Sequence, residues 1–309
     1  MKAGVRTSAH FIAPLIALVL LFATQPTLAQ QQQQQVPAQG NTITWVSAEP
    51  APQHASPEAS GQAALRSFLE GLGDHLKSHW PDAAIRHVVL RSNAKRAWQM
   101  VSSGEPVCVL SAIHTPEREK TAYFSDTLMG PPQQLLVRRD RLTALPRNAN
   151  GEVDLPRLLA DGRLRGAVVE ARSYGTVIDA ALEKAGKNAN VARYATSDYG
   201  SRLLTMLTLD RADYTIGYEV SLTDDVAGAL VSETIAGAST PVIGGVACPR
   251  NAWGLATIRK VDQILGTPSG AALLRKEAES WLSTAEMRKR YGPRLDEFYR
   301  QRAKPSVIR

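Results

Sequence analysis

Apolar and polar residues alternate along the chain with two kinds of pattern, short apolar runs typical of strands and a helical periodicity. Short β-branched or apolar runs at Thr42–Val46, His87–Leu90 and Val107–Ile113 are typical of strands. Between them, apolar residues recur three or four positions apart, first from Leu65 to Leu76 and then from Ala97 to Val101. This β-α-β-α-β order indicates one half of an open α/β sheet.

A second series of the same kind follows after residue 133, and helical patterns separate its strands. The predicted strands of this series are Gly166–Val169, Val191–Tyr194 and Ala212–Tyr218. A turn at Ala171–Gly175 follows the first of them, and two helices, around Val261–Leu265 and from about Ala271, are expected to close the chain. We therefore predict two α/β lobes with a ligand cleft between them.

The first 29 residues have the pattern of a secretory signal peptide. Lys2 and Arg6 form a basic start, an apolar segment runs from Phe11 to Phe22, and small residues end at Ala29. A signal anchor that stays uncleaved is the alternative. Residues 30–40, which include six consecutive glutamines, have too few apolar residues to bury a core and are predicted to be a disordered tether.

The charge balance argues against a nucleic-acid partner. The chain has 36 basic and 29 acidic residues, and removal of residues 1–29 would leave 34 basic residues and a net charge of +5. The basic residues are spread along the chain without a block of five or six, which is typical of a solvated surface. A mild preference for anionic ligands is compatible with this balance.

The stretch after the third predicted strand has the residues of a small-anion clamp. Ser111 stands at the end of that strand, and Thr115 can cap a helix that begins with Pro116. Free backbone N–H groups at a helix start favour an anion. Arg118 offers a planar fork for a carboxylate, and the Ile113 backbone offers a further contact. The alternative is a capped helix with a surface arginine.

Residues 102–126, SSGEPVCVLSAIHTPEREKTAYFSD, resemble the signature region of the family 3 extracellular solute-binding proteins, which serve polar amino acid ABC importers. The shared features are a short apolar strand, a Thr-x-x-Arg step at Thr115–Arg118 and the sequence Phe-Ser-Asp at Phe124–Asp126. The resemblance extends over residues 41–300 and is strongest at 95–138 and 166–220.

This resemblance implies the type II periplasmic-binding-protein fold, an α/β fold with two lobes and two hinge crossings. Lobe 1 would hold residues 41–133 plus 237–309, and lobe 2 would hold residues 134–236. The hinges are expected near residues 129–134 and 235–240. The segment that begins at Gln134, QLLVRRD, is expected to be the first strand of lobe 2.

The resemblance also implies roles for single residues. Arg118 falls where the family's arginine holds the ligand carboxylate, and Ser111 falls on a position that contacts the ligand. The family's Gly-(Ser/Thr)-Thr turn matches Ala171-Arg172-Ser173, in which Ser173 keeps the hydroxyl. Arg172 adds positive charge beside a helix start, which again favours an anion. A plain connection between strand and helix is the alternative for this turn.

The sequence departs from the family where an amino acid's ammonium group is held. Tyr218 replaces the family's aspartate, and Ser47, with Glu49 nearby, replaces an acid that often follows the first strand. A site without an ammonium partner should not favour an ordinary α-amino acid. Tyr218, Trp45 and Tyr174 are candidates for an aromatic wall of the ligand site, with ordinary packing as the alternative.

Within the family, the chain most resembles a less characterised branch whose members often stand alone, without an obvious transporter. That branch shares a cysteine before the signature region and a Cys-Pro-x-x-x-Trp-Gly step, here Cys248–Gly254. In this fold the returning segment lies beside the lobe 1 sheet, so a disulfide between Cys108 and Cys248 is expected. Two separate buried thiols are the alternative.

Catalytic motifs are not found in the sequence. It contains no Gly-x-Ser-x-Gly, no His-Glu-x-x-His and no phosphate-binding glycine loop. His114 lies at the proposed cleft, but as a base it would need a partner that the sequence does not identify. We expect a monomeric, non-enzymatic periplasmic protein without cofactor or metal, which passes a small polar or anionic, carboxylate-bearing solute to an ABC permease or a membrane sensor. A dehydratase-like lyase on the same fold is the alternative.

Overall fold

The computed structural model describes residues 42–47, 60–80, 86–196, 200–222, 224–279, 282 and 285–308. The predicted signal peptide and tether lie outside these ranges. The strands within them, in chain order, are β1 (Thr42–Ser47), β2 (Arg86–Arg91), β3 (Val107–Ile113), β4 (Ala122–Gly130), β5 (Gln134–Arg138), β6 (Gly166–Val169), β7 (Val191–Tyr194), β8 (Tyr214–Gly217), β9 (Leu230–Glu233) and β10 (Val242–Pro249).

The helices alternate with these strands for most of the chain and follow one another at its end. They are α1 (Ser60–His79), α2 (Ala94–Ser102), α3 (Pro116–Glu119), α4 (Leu155–Asp161), α5 (Thr176–Ala185), α6 (Ser201–Thr208), α7 (Asp224–Ala227), α8 (Ala252–Leu265), α9 (Pro268–Glu279) and α10 (Ala285–Arg302). The side chain of Thr115 caps α3, as the sequence predicts, and the side chain of Asn93 caps α2 in the same way.

Two five-stranded mixed sheets form two lobes, so the predicted fold class is confirmed. The first sheet has the order β2-β1-β3-β10-β4, in which only β10 runs antiparallel to its neighbours β3 and β4 among the described pairings. The second has the order β7-β6-β8-β5-β9, in which β5 runs antiparallel to β8 and β9. The parallel pairs come from β-α-β units, and the antiparallel strands follow the crossings between lobes.

Each lobe has its own hydrophobic core. In the first lobe, apolar side chains of α1, α8, α9 and α10 pack on the sheet around the fully buried Trp45 and Leu110. In the second lobe, α4 and α5 cover a core that includes Leu135, Ile178 and Tyr214. The chain crosses between the sheets after Gly130 and again after Glu233.

The disulfide between Cys108 and Cys248 is confirmed. Strand β10 lies between β3 and β4, which puts the two Cα atoms 4.3 Å apart and closes a loop with a sequence separation of 140. Both cysteines are fully buried in the first core. The bond therefore joins the returning strand to the strand that ends at Ser111.

The closing part of the chain differs from the prediction. We predicted two closing helices, and the structure has three, α8, α9 and α10. The second of them ends at Glu279 and the third begins at Ala285. A buried ion pair anchors α10, since Arg302 lies 2.9 Å from Asp262 and both side chains are at most 3% exposed. Ser125 of the signature region donates a hydrogen bond to the same Asp262 and accepts one from Arg302. This anchor gives the Phe-Ser-Asp sequence a structural role.

Candidate functional site

The residues of the predicted clamp lie together at the carboxyl end of β3. Ser111 and Ile113 share one face of the strand, and both are half-buried. The Thr115 hydroxyl accepts a hydrogen bond from the Arg118 backbone N–H, which holds the short helix α3 in place. The Arg118 guanidinium then turns back and donates to the Ile113 carbonyl at 3.2 Å. Ile113 thus orients the arginine through its main chain.

Arg118 lies at the boundary between the lobes. Its guanidinium is 4.4 Å from the ring centre of Trp98, and it donates to the Ala171 carbonyl of the second lobe at 3.1 Å. Burial lowers the pKa of Arg118 from its ordinary value to about 10, while the negative charge of Asp179 opposes this change and the positive charge of Arg172 adds to it. Arg118 therefore stays charged at neutral pH in a partly desolvated position.

The turn of the second lobe is organised by Asp179, a residue that the sequence analysis missed. Its carboxylate accepts hydrogen bonds from the Ser173 hydroxyl and from the Tyr174 backbone N–H, the latter at 2.7 Å. The Ser173 oxygen in turn accepts from the Gly175 N–H. Asp179 lies in the first turn of α5, where a carboxylate interacts favourably with the helix dipole. This position in the sequence could have identified it.

Arg172 and Tyr218 meet in the second lobe. The Arg172 guanidinium lies 5.3 Å from the ring of Tyr174 and 5.9 Å from the ring of Tyr218. Burial raises the pKa of the Tyr218 hydroxyl, while the charge of Arg172 and a hydrogen bond from it act in the opposite direction. The ring of Tyr218 also contacts the first core, so this tyrosine touches both lobes.

For two of the three aromatic candidates, the structure agrees with the packing alternative. Tyr174 is 2% exposed in the second core, and its hydroxyl accepts a hydrogen bond from the Val169 N–H. Trp45 is 1% exposed and donates to His87 inside the first lobe. Only Tyr218 of the three is half-buried. An aromatic wall made by all three side chains does not form.

The end of the first strand lies against the chain before α2. Ser47 ends β1, and its carbonyl accepts a hydrogen bond from the Ser92 N–H at 2.9 Å. This contact ties the β1 end to the chain before α2. Glu49 lies outside the described residues.

A second contact between the lobes accompanies Arg118. Lys95, at the start of α2, forms an ion pair with Glu170 of the second lobe at 2.9 Å. Glu170 immediately precedes Ala171, the acceptor for Arg118. The two lobes are therefore in contact on this side, through Lys95 and Arg118.

His114 is held between two carboxylates. Its Nδ1 lies 2.7 Å from Asp126 and its Nε2 lies 2.7 Å from Glu119, and the ring stacks on Phe124. Burial lowers the pKa of His114, but the hydrogen bonds and charges of Asp126 and Glu119 outweigh this effect and raise it. An imidazole with both nitrogens engaged is a poor general base. In the described residues, no three His, Cys, Asp or Glu side chains are grouped as metal ligands would be.

Comparisons with known proteins bear on the fold. The chain is similar to a mutant of ArgBP from T. maritima, at 16% identity and a TM-score of 0.56 over 79% of this chain and 96% of that one. It is also similar to the substrate binding protein of an amino acid ABC transporter, at 15% identity and a TM-score of 0.54 over 79% of this chain and 100% of that one. A third similar structure is an ancestral arginine-binding protein bound to glutamine, at 14% identity and a TM-score of 0.52 over 79% of this chain and 99% of that one. No protein-family model and no curated protein sequence matches. The chain has the type II periplasmic-binding-protein fold.

No helix in the described ranges is long and apolar enough to cross a membrane.

Proposed function

We propose that this protein binds a small carboxylate-bearing solute between its lobes and delivers it to an ABC permease or a membrane sensor. The observation that supports this proposal most is the position of the Arg118 guanidinium. A half-buried guanidinium stands at the lobe boundary on an aromatic ring, and two carbonyls use only part of its five N–H donors. A carboxylate is the partner that this geometry fits best.

The second lobe would add a further cation to this site. Arg172 precedes Ser173 in the turn, and the Ser173 hydroxyl is engaged by Asp179. The second lobe would then recognise the ligand chiefly through Arg172 and the Tyr218 hydroxyl, with Ser111 as the matching hydroxyl of the first lobe. These contacts favour an acidic or polar ligand. We further propose that the protein works in the periplasm, which agrees with the predicted signal peptide.

The lyase alternative gains no support from the described residues. His114, the candidate base, has both ring nitrogens bound to carboxylates. The proteins of similar fold named above are described as binding proteins. We therefore favour binding without turnover.

A thermal-shift screen of small carboxylic acids tests the proposed function. A compound that binds the native state alone stabilises it by RT ln(1 + [L]/Kd), which is about 2.7 kcal/mol at 100 times Kd. We expect at least one acid to stabilise the protein and to be recovered chemically unchanged. Conversion of the compound would support the lyase, and a panel without any stabilising acid would contradict the carboxylate proposal.

A further inference from the structure

A cavity of about 280 Å³ lies where both crossings between the lobes meet α10. Gln133 lines it from the first crossing, Thr234 and Ser239 from the second, and Arg290 and Arg294 from the helix. Its volume is close to the lower limit of small-molecule sites, which is about 300 Å³. The Arg118 region contributes none of the lining residues, so this is a separate site.

The Gln133 side chain lacks the partners that a buried amide needs. It is 1% exposed, and within the described residues neither its nitrogen nor its oxygen has a hydrogen-bond partner. The Tyr218 hydroxyl lies close enough to this amide for the amide to oppose the rise of the tyrosine's pKa, but their contact does not reach hydrogen-bond geometry. Buried polar groups are nearly always paired, and an amide offers both donors and an acceptor. A polar molecule in the cavity would satisfy this amide.

The helix side of the cavity is positively charged. Arg290 and Arg294 stand four residues apart and therefore on one face of α10, where like charges repel. Arg290 interacts with the hydroxyl of Tyr291, which also lines the cavity. It also lies 3.5 Å from Glu286, and the charge of Glu219 acts on it. Arg294 has no carboxylate within 4 Å among the described residues. An anion between the two guanidiniums would relieve their repulsion, and each planar fork suits an oxyanion.

We propose that this hinge cavity binds a small oxyanion, a carboxylate or a phosphate. Arg294 and Arg290 would hold its charge, and the Gln133 amide would hydrogen-bond to its remaining oxygen. Because both crossings line the cavity, movement of the lobes about these crossings changes its walls. An oxyanion that prefers one lobe arrangement would shift the equilibrium between open and closed states, and a ligand in the cleft would reciprocally change its affinity.

Titration of ¹⁵N-labelled protein with sodium acetate or inorganic phosphate, at constant ionic strength, tests this site. We expect saturable shifts of the Gln133 side-chain amide and the Ser239 backbone amide with at least one of the two anions. Arg294→Gln should weaken that binding at least about fivefold, the effect of a lost charge-assisted hydrogen bond. Arg300→Gln is the matched control, because Arg300 lies on the same helix, pairs with Glu297 and does not line the cavity.

The outcomes distinguish a carboxylate from a phosphate ligand, and the hinge cavity from the Arg118 site. Saturation by acetate alone assigns a carboxylate site, saturation by phosphate alone a phosphate site, and saturation by both a general oxyanion site. The shifts should persist in Arg118→Ala, whose cleft clamp is removed. Linear, unsaturable shifts with both anions would overturn the proposal, as would equal losses in Arg294→Gln and Arg300→Gln. Gln133→Leu, followed at Ser239, should also weaken binding, and unchanged binding in that variant would remove the amide from the site.

Discussion

Arg118 of the first lobe donates a hydrogen bond to the Ala171 carbonyl of the second lobe at 3.1 Å. Ala171 has a left-handed backbone (φ 58°), which is unusual for a residue with a side chain. Such conformations persist where surrounding contacts hold them, and they are frequent at ligand sites. The contact connects the proposed carboxylate clamp directly to the turn that carries Arg172, so loss of either side should affect ligand binding and lobe closure together.

Replacement of Arg118 by alanine should weaken ligand binding by at least about 30-fold, because loss of one partner of a buried charged pair costs about 2–5 kcal/mol. Calorimetry with an acid found in the screen measures the effect. Arg139→Ala is the matched control, since Arg139 also donates to two main-chain carbonyls, those of Ala227 and Gly228, away from the clamp. Binding by Arg118→Ala within threefold of the parent would show that the clamp is not the binding group.

We expect the protein to reject ordinary amino acids, because the proposed site puts Tyr218, and not a carboxylate, at the ligand's ammonium group. Both oxygens of Asp179 already accept hydrogen bonds from the turn that carries Arg172. An L-amino acid should therefore bind at least about tenfold more weakly than its 2-hydroxy acid analogue, because a buried unpaired ammonium is costly. Calorimetry on such matched pairs measures the ratio. Micromolar binding of a standard L-amino acid would contradict this expectation.

The lobes should close on the ligand, and the Lys95–Glu170 ion pair should contribute little to closure. The pair is 2.9 Å long but largely solvent-accessible, and such pairs contribute about 0–1 kcal/mol. Lys95→Ala should thus weaken ligand binding by no more than about fivefold. Small-angle scattering of the parent should show a smaller radius of gyration with ligand than without it. An unchanged scattering profile at saturation would argue against closure about the two crossings.

The stability of the protein should depend on pH through His114. Its pKa is raised in the folded state by Asp126 and Glu119, so the folded state binds the proton more tightly than the unfolded chain does. The stability that His114 contributes is complete below about pH 6.5, the ordinary histidine pKa, and is lost as pH rises through the raised folded-state value. The stability advantage of the parent over His114→Gln should therefore shrink as pH rises in urea unfolding.

His87 provides a control of opposite sign. Burial, with a smaller effect of the Lys77 charge, lowers the pKa of His87, and its Nδ1 accepts a hydrogen bond from Trp45. The folded state disfavours protonated His87, so the advantage of the parent over His87→Gln should grow as pH rises. Parallel pH trends in the two variants would contradict the assignment of the His114 charge to its two carboxylates.

Sequence patterns predicted the strands well where β-branched runs are bounded by turns. Gly166–Val169 and Val191–Tyr194 have the predicted bounds, and Val107–Ile113 does as well. The helix α10 was missed because its buried residues are separated by charged ones. Its stripe is Met287, Tyr291, Leu295 and Tyr299, at intervals of four residues. That spacing is a helical signal, and the surrounding arginines and lysines obscured it.

The candidate site was predictable only where local rules set it. The Thr115 cap and the position of Arg118 follow from a helix start after a strand, and both are found in the structure. Asp179 contacts the turn only five and six residues before it, so its place in the first turn of α5 could have revealed it. The proposed role of Gln133 depends on tertiary contacts around the hinge cavity, and sequence spacing does not encode which buried amide lacks a partner.

The disulfide should stabilise the fold more than any other covalent or local feature considered above. Its loop spans 140 residues, for which the chain-entropy model gives about 4–5 kcal/mol. In urea unfolding, the reduced parent should have a free energy of unfolding about that much lower than the oxidised parent. The double variant Cys108→Ala, Cys248→Ala should match the reduced parent within about 1–2 kcal/mol, because loss of the two sulfur atoms leaves a small cavity. Because Cys108 lies three residues before Ser111, the double variant should also bind ligand more weakly. Two titratable thiols in protein purified from the periplasm, or equal stability with and without reductant, would reject this role.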